Sequence, residues 1–451
     1  MSARAATIGR SRRPSAAAKK KKRSAALPLE YNLMLTATLC LLALGAVMVF
    51  SASSTTRVLS NGGLSDSAFY LKRTLMFGAV GLLVMHLTSR QGLGFVRRMT
   101  PAFLAVSFFL LAAVLVMGTT VNGSTRWIGS GFLQIQPSEL AKVALVLYGA
   151  DLLAGKPKRA RSLEGLMPFL LVVGMAAMLV VLEPDLGTAL VIAFASSATL
   201  VAAGARMRDL ALIALVLGFL ALLLTLVEPY RMARLTGFLN PGSDAAGAGF
   251  QAAQAKIALG SGGIFGVGIG DGVQKAFYLP EAHTDMISAV IGEELGLVGI
   301  VSVVGLFAVF GYAGLQAAKK ARDNYGKLLA AGLTSLILVQ ATINLFAVMG
   351  MAPLTGVPLP FVSYGNSSLL ATLFAVGLIL NVASGGTASV GRLRVVQGGK
   401  ARQGGSAKAR ASARSGRSRA SGARSRKSGG GGGRNSRPRR AGHGRGRRAS
   451  G

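Results

Sequence analysis

Apolar residues run along this chain in long unbroken stretches, not in the stripes of amphipathic helices or the alternation of strands. Windows of about 18 to 20 residues without a charge recur, the length a helix needs to cross the hydrocarbon core of a bilayer. Ten such segments can be drawn, roughly at 31–52, 70–88, 101–118, 137–154, 165–182, 187–204, 209–227, 284–315, 328–350 and 361–383. The eighth is long enough to tilt or to project beyond the bilayer. The pattern predicts an all-α polytopic membrane protein of about ten transmembrane helices, with one large extracytoplasmic loop at roughly 228–283 between the seventh and eighth.

Composition agrees: 51% of the 451 residues are hydrophobic, and the mean hydropathy is +0.51. Charge sharpens the picture once it is divided. The net +34 belongs mostly to the two ends. Residues 1–29 hold 9 Lys or Arg and no acid, and residues 384–451 hold 19 and no acid. The body, 30–383, holds 22 basic and 16 acidic residues. Three parts follow: a basic disordered tail, a ten-helix membrane domain, and a second basic tail rich in Gly, Arg and Ser. The loops with Arg90, Arg97 and Arg98, with Lys156, Lys158, Arg159 and Arg161, with Arg206 and Arg208, and with Lys319, Lys320, Arg322 and Lys327 fall on one side by alternation. Both tails fall there too, and the positive-inside rule makes that side, with both termini, cytoplasmic. A basic run precedes the first apolar segment without a clear cleavage site, so the segment reads as a retained first helix.

The tails suit anionic inner-leaflet lipid. Their charge alone would also allow nucleic acid, but no aromatics are interleaved for base stacking. Cys40 is the only cysteine, which excludes an intramolecular disulfide. The three histidines, His86, His283 and His443, are too scattered for a zinc cluster.

The opposite loops collect the unusual polar residues. In "LPEAHTDMISAVIGEELG", Glu281, His283 and Asp285 stand at the mouth of the eighth segment, and Glu293 and Glu294 stand deeper. Asp285 reads either as a functional carboxylate or, with Thr284, as a helix cap. The deeper glutamates face a bundle interior and call for an internal cation or polar backbone group. "NGSTRWIGSGFLQIQPSELAKV" offers Arg126 as a phosphate ligand, Trp127 as a membrane anchor or contact residue, and Lys142 one turn inside a helix that starts at Pro137. Lys142 meets either substrate or an acid such as Glu139, three residues earlier on the same face. Glu183 and Asp185 flank a proline in "EPDLG" and read as a carboxylate pair that binds a cation or meets Lys and Arg, or as a turn and cap. The glycine-rich run before Lys275 lacks the strand and the Lys-Ser/Thr of a P-loop, which rules out nucleotide binding there. Arg231, Arg234, Lys256 and Lys275 read as ligands for an anionic lipid headgroup or as a solvated rim.

Taken together, "MVFSASS", "FYLKR", "NGSTRWI…QPSELAK", "EPDLGTAL", "RLTGFLNP", "GFQAAQAKIALGSGGIFGVGIGDGVQK", "LPEAHTD…VIGEELG" and "PLPFVSYGNSS" resemble, in order, the SEDS family of shape, elongation, division and sporulation proteins. The resemblance spans roughly residues 30–383 and carries the family's ten-helix topology. It implies a peptidoglycan glycosyltransferase that polymerises lipid II at the outer face of the cytoplasmic membrane. It also implies a class B penicillin-binding protein as transpeptidase partner and other divisome proteins around it. The family's catalytic Asp maps onto Asp285, and its important Trp and Lys map onto Trp127 and Lys142. Arg126, Lys142, Arg231, Arg234 and Lys256 are candidates to neutralise the leaving pyrophosphate, with a divalent cation left open as a cofactor. The segments "MVFSASS" and "FYLKR" lean towards the cell-division branch over the elongation branch. A lipid II flippase is the alternative from another class, and it would need ionisable residues along a continuous path to the cytoplasmic face. Three positions depart from the family's usual pattern: Met286 and Ser288 where aromatics are usual, and Asn366 where a glycine is usual.

Overall fold

The computed structural model describes residues 27–60, 68–121, 124–129, 134–239, 249–276 and 278–388. Both basic tails fall outside the described residues apart from 27–29 and 384–388. Twelve helices follow in order: α1 (Leu29–Ser60), α2 (Phe69–Arg90), α3 (Leu93–Met117), α4 (Pro137–Gly155), α5 (Leu163–Leu182), α6 (Leu186–Ala203), α7 (Met207–Val227), α8 (Pro229–Leu239), α9 (Phe250–Ser261), α10 (Ile287–Lys319), α11 (Asn324–Val348) and α12 (Asn366–Ala383). Nine of them, among the described residues, are long and apolar enough to cross a membrane. The tenth long helix, α4, spans 19 residues but carries Glu139, Lys142 and Asp151, which lower its hydropathy. It is buried along most of its length, so protein and not lipid surrounds those charges.

The all-α expectation holds for the membrane body. Its one exception among the described residues is a small antiparallel hairpin, β1 (Thr119–Val121) and β2 (Ser124–Trp127), beyond the end of α3. The long loop after α7 is not structureless, since it contains α8 and α9. Two helix starts shift inward. The eighth long apolar segment, α10, begins at Ile287 and not near 284, and the last begins at Asn366 and not near 361. Pro358 and Pro360 keep Val357 and Leu359 out of helical geometry, and Phe361 takes a left-handed backbone with φ +67°.

Packing sorts the helices into an inner and an outer set. α4, α11 and α12 are buried on most of their faces. α7 buries only Asp209 and presents Leu215, Phe219 and Val227 outward, as a helix facing lipid does. α2 crosses α12 closely because Gly377 lies against Met85 and Thr88. Side-chain bonds tie the loops at each end. At one end Arg97 pairs with Asp151 at 2.5 Å, Lys320 with Glu30 at 3.1 Å, and Asn381 Nδ2 donates to Thr88 O at 2.9 Å. At the other end the loops after α3, α5, α9 and α11 converge, and the candidate residues meet there.

Candidate active site

Asp285 sits in the turn just before α10. Glu281 starts that turn with φ +54°, and its carbonyl accepts from Thr284 N at 3.1 Å and Met286 N at 3.3 Å. The alternative reading of Asp285 and Thr284 as a helix cap is not adopted. Met286 holds the N-cap position of α10 without a side-chain cap, while Thr284 Oγ1 donates to Glu281 Oε2 at 2.8 Å. Glu281 and Asp285 both precede α10, which starts at Ile287. Burial pushes the Asp285 carboxyl up to about 6, helped by the nearby Glu281 charge and opposed by a backbone hydrogen bond, Arg234 and Thr284. The carboxylate faces Gly356, where a side chain would begin 3.7 Å from Oδ2. Behind it, the His283 ring packs against Tyr70 at 4.5 Å and Tyr364 at 5.6 Å between centroids, and Tyr364 N donates to His283 O at 2.9 Å.

Glu293 and Glu294 lie where α10 breaks. Gly296 has φ +65° and ψ −159°, a conformation open only to glycine. The break frees backbone groups, and the glycine-rich segment after α9 satisfies them. Val267 N donates to Glu293 O at 3.0 Å, Gly268 N to Glu294 O at 3.1 Å, and Leu297 N to Gly263 O at 3.0 Å. Glu293 Oε1 accepts from Val273 N at 2.8 Å and Gln274 N at 3.1 Å. Glu294 takes the cation: Lys275 Nζ lies 2.6 Å away, and Ser51 Oγ of α1 donates to Oε1 at 2.6 Å. Lys275 is therefore enclosed, not on a headgroup-binding rim.

The arginines gather at another place. Arg126 donates through Nε to Glu183 O at 3.3 Å and through Nη2 to Pro184 O, with Asp185 Oδ2 at 3.9 Å. Arg231 donates to Leu224 O and Val181 O, each at 3.2 Å, and Arg234 to Leu354 O at 3.0 Å. These three residues line one cavity of about 590 Å³, whose wall is otherwise made mainly of apolar side chains from α6, α7 and α11. Thr355 lines the same cavity, and the next residue, Gly356, faces Asp285. Exposed Lys256 lies beside Arg234 and Gly350 in an adjoining small recess.

Asp185 caps α6, its Oδ1 accepting from Thr188 N at 3.0 Å. Glu183 is fully buried, and neither carboxylate oxygen has a hydrogen-bond partner among the described residues. Burial pushes its carboxyl up to about 8, with Asp185 adding to the shift and Arg126 opposing it. Lys142 is buried and meets both Glu139 Oε1 at 2.9 Å and Gln340 Oε1 at 2.8 Å, so its structural ion pair is present. Trp127 is half-buried at the end of the hairpin. No group of three or more His, Cys, Asp or Glu among the described residues is placed to hold a metal ion. Sequence reasoning did not single out Ser51, Gln340 or Asn344. Each is a polar residue inside an apolar run, and that was the available signal.

The departures at Ser288 and Asn366 also find physical roles. Ser288 Oγ donates to Asn344 Oδ1 at 2.5 Å. With its amide oxygen turned towards α2, Asn366 accepts from buried Arg73 at 2.9 and 3.0 Å.

Comparison with known proteins agrees with this layout. A family described as cell cycle protein, of the FtsW/RodA/SpoVE type, matches residues 31–387. The chain is 41% identical over 360 residues to the probable peptidoglycan glycosyltransferase FtsW of Trichlorobacter lovleyi, covering 79% of this chain and 94% of that one. It is 40% identical over 355 residues to stage V sporulation protein E of Bacillus subtilis, covering 78% and 96%. The crystal structure of the rod shape determining protein RodA from Thermus thermophilus superposes with a TM-score of 0.59 at 29% identity, covering 80% and 97%. A chain of a solved peptidoglycan synthase complex, described as coordinating polymerization and crosslinking, superposes at 0.65 with 30% identity, covering 80% and 98%. The match runs through every described helix from α1 to α12, and the chain belongs to the FtsW/RodA/SpoVE family of multi-pass membrane proteins.

Proposed function

We propose that this chain is a peptidoglycan glycosyltransferase that polymerises lipid II into glycan strands at the outer face of the cytoplasmic membrane, with Asp285 as general base. One observation carries the reading: a carboxylate of raised proton affinity stands beside an apolar cavity lined by three arginines. A polyprenyl pyrophosphate needs an apolar wall for its chain and positive charge for its phosphates, and the cavity joins the two. The relatives named as peptidoglycan glycosyltransferases favour this over a flippase.

The reaction is a single displacement. The 4-hydroxyl oxygen of the acceptor sugar forms a bond to the anomeric carbon of the donor. The bond from that carbon to the pyrophosphate oxygen breaks, and its electron pair leaves with the polyprenyl pyrophosphate. The hydroxyl proton passes to the Asp285 carboxylate. Inversion from an α-linked donor to a β-linked product requires a base and no covalent nucleophile. Arg126, Arg231 and Arg234 stabilise the charge on the leaving group, with Lys256 at the adjoining recess.

The reading assigns residues 30–383 as the catalytic membrane domain, with the basic arms 1–29 and 384–451 lying on anionic lipid at the cytoplasmic side. It places the protein at the division septum with a class B penicillin-binding protein and other divisome proteins. The solved complex that joins polymerization to crosslinking supports such a pairing. The test is purified full-length chain with its transpeptidase partner and labelled lipid II. Wild type should yield glycan polymer and Asp285→Ala none, while robust polymer from the variant would reject the mechanism.

A further inference from the structure

Asn344 is buried in α11 and bonds in three directions. Its Nδ2 donates to the main-chain carbonyls of Asp285 at 2.7 Å and Val357 at 2.8 Å. Its Oδ1 accepts from Ser288 Oγ at 2.5 Å. Of the two ends of the amide only the NH2 can donate to carbonyls, so the orientation of the side chain follows from its surroundings. The three bonds join separate segments: the turn carrying Asp285, the first turn of α10, and the stretch before α12.

Two of those segments face each other at the Asp285 carboxylate. Asp285 supplies the carboxylate, and Gly356, next to Val357, faces it. Neither side has regular structure of its own. Asp285 precedes α10, and residues 353–359 lie in no helix or strand. One side chain therefore holds both to α11, which is buried and continuous over 25 residues. Ser288 in turn fixes Asn344: both groups are buried, and without the hydroxyl the amide oxygen would lose its donor.

We propose that Asn344, oriented by Ser288, is a positioning residue that sets the gap between the Asp285 carboxylate and the 356–357 wall, and so aims the base at the acceptor hydroxyl. The inference rests on the glycosyltransferase reading. A small misplacement of a reacting group slows chemistry far more than it weakens binding, and about 1 Å can cost on the order of a hundredfold. Asn344 touches no reacting atom, and its effect passes through Asp285.

The test measures lipid II polymerisation by full-length protein with its transpeptidase partner, separating kcat from KM, with thermal unfolding in detergent measured alongside. Ser288→Ala should lower kcat about tenfold with KM within about twofold, and Ser288→Thr should restore it. Asn344→Asp, near-isosteric but without the NH2 group, should lose roughly a hundredfold in kcat. The Ser288 pair keeps the inference testable if Asn344→Asp does not fold. Wild-type kcat in Ser288→Ala, or a loss confined to KM, overturns the positioning role while leaving Asp285 as base intact. Absence of polymer from the wild-type protein overturns the function itself, and the positioning role with it.

Discussion

Lys275 Nζ lies 2.6 Å from Glu294 Oε1, and both side chains are buried at the break in α10. Ser51 Oγ completes the set, donating to Glu294 and lying 3.0 Å from Lys275 Nζ. The buried pair and Ser51 thus join three separate segments: α1, the glycine-rich stretch after α9, and α10. A buried pair adds little over an apolar substitute, but breaking it strands a charge.

Removing one partner should therefore be worse than removing both. Lys275→Met or Glu294→Gln alone should destabilise the protein by about 3–5 kcal/mol, and the double variant should recover a large part of that loss. Thermal unfolding of the four proteins in one detergent checks this. Additive losses in the double variant would show that the two side chains act separately.

Gly296 makes the break possible. A Cβ there would meet Gly266 N and Ile264 O, and the backbone has a positive φ. Gly296→Ala should cost several kcal/mol by strain and by expelling the glycine-rich segment. Limited proteolysis should then cut between residues 262 and 276 faster than in wild type. Unchanged cleavage would mean that the segment docks without this contact.

Asp285 should set the acid limb of the pH profile. A general base works only when deprotonated, so kcat/KM should rise with pH through about 6, above the ordinary carboxylate range. Arg234 holds the carboxyl down, so Arg234→Gln should move that limb to higher pH. Polymerisation rates across the pH range at low lipid II concentration give both values.

Glu183 should couple stability to pH in the opposite sense from a paired carboxylate. Its folded proton affinity is raised, so the stability it contributes is fully present below about pH 4.5 and is lost as pH rises through about 8. Glu183→Gln cannot ionise and escapes that loss. Its melting temperature should gain on wild type progressively between about pH 5 and pH 8. A constant difference across that window would place the titration elsewhere.

The sequence by itself determined the membrane body. Long unbroken runs of uncharged apolar residues specify helices in lipid, because a helix satisfies every backbone group within the segment and a barrel strand would need polar alternation. It also marked Glu293 and Glu294 as needing an internal cation or a polar backbone group, since an acid within a bundle is costly alone. It left their partners open. Lys275 and Ser51 lie 19 and 243 residues from Glu294, and no local spacing links them. The helix break at Gly296 was equally hidden, because a glycine in an apolar run also reads as a close helix contact. The partners of Lys142, Asp185 and Ser288 were decided only by packing: Lys142 lies between Glu139 and Gln340, Asp185 caps α6, and Ser288 donates to Asn344. Hydrophobic length is a property of one segment and is written in order along the chain. The partner of a buried polar group is a property of whichever segments the fold brings beside it, and only the tertiary structure decides that.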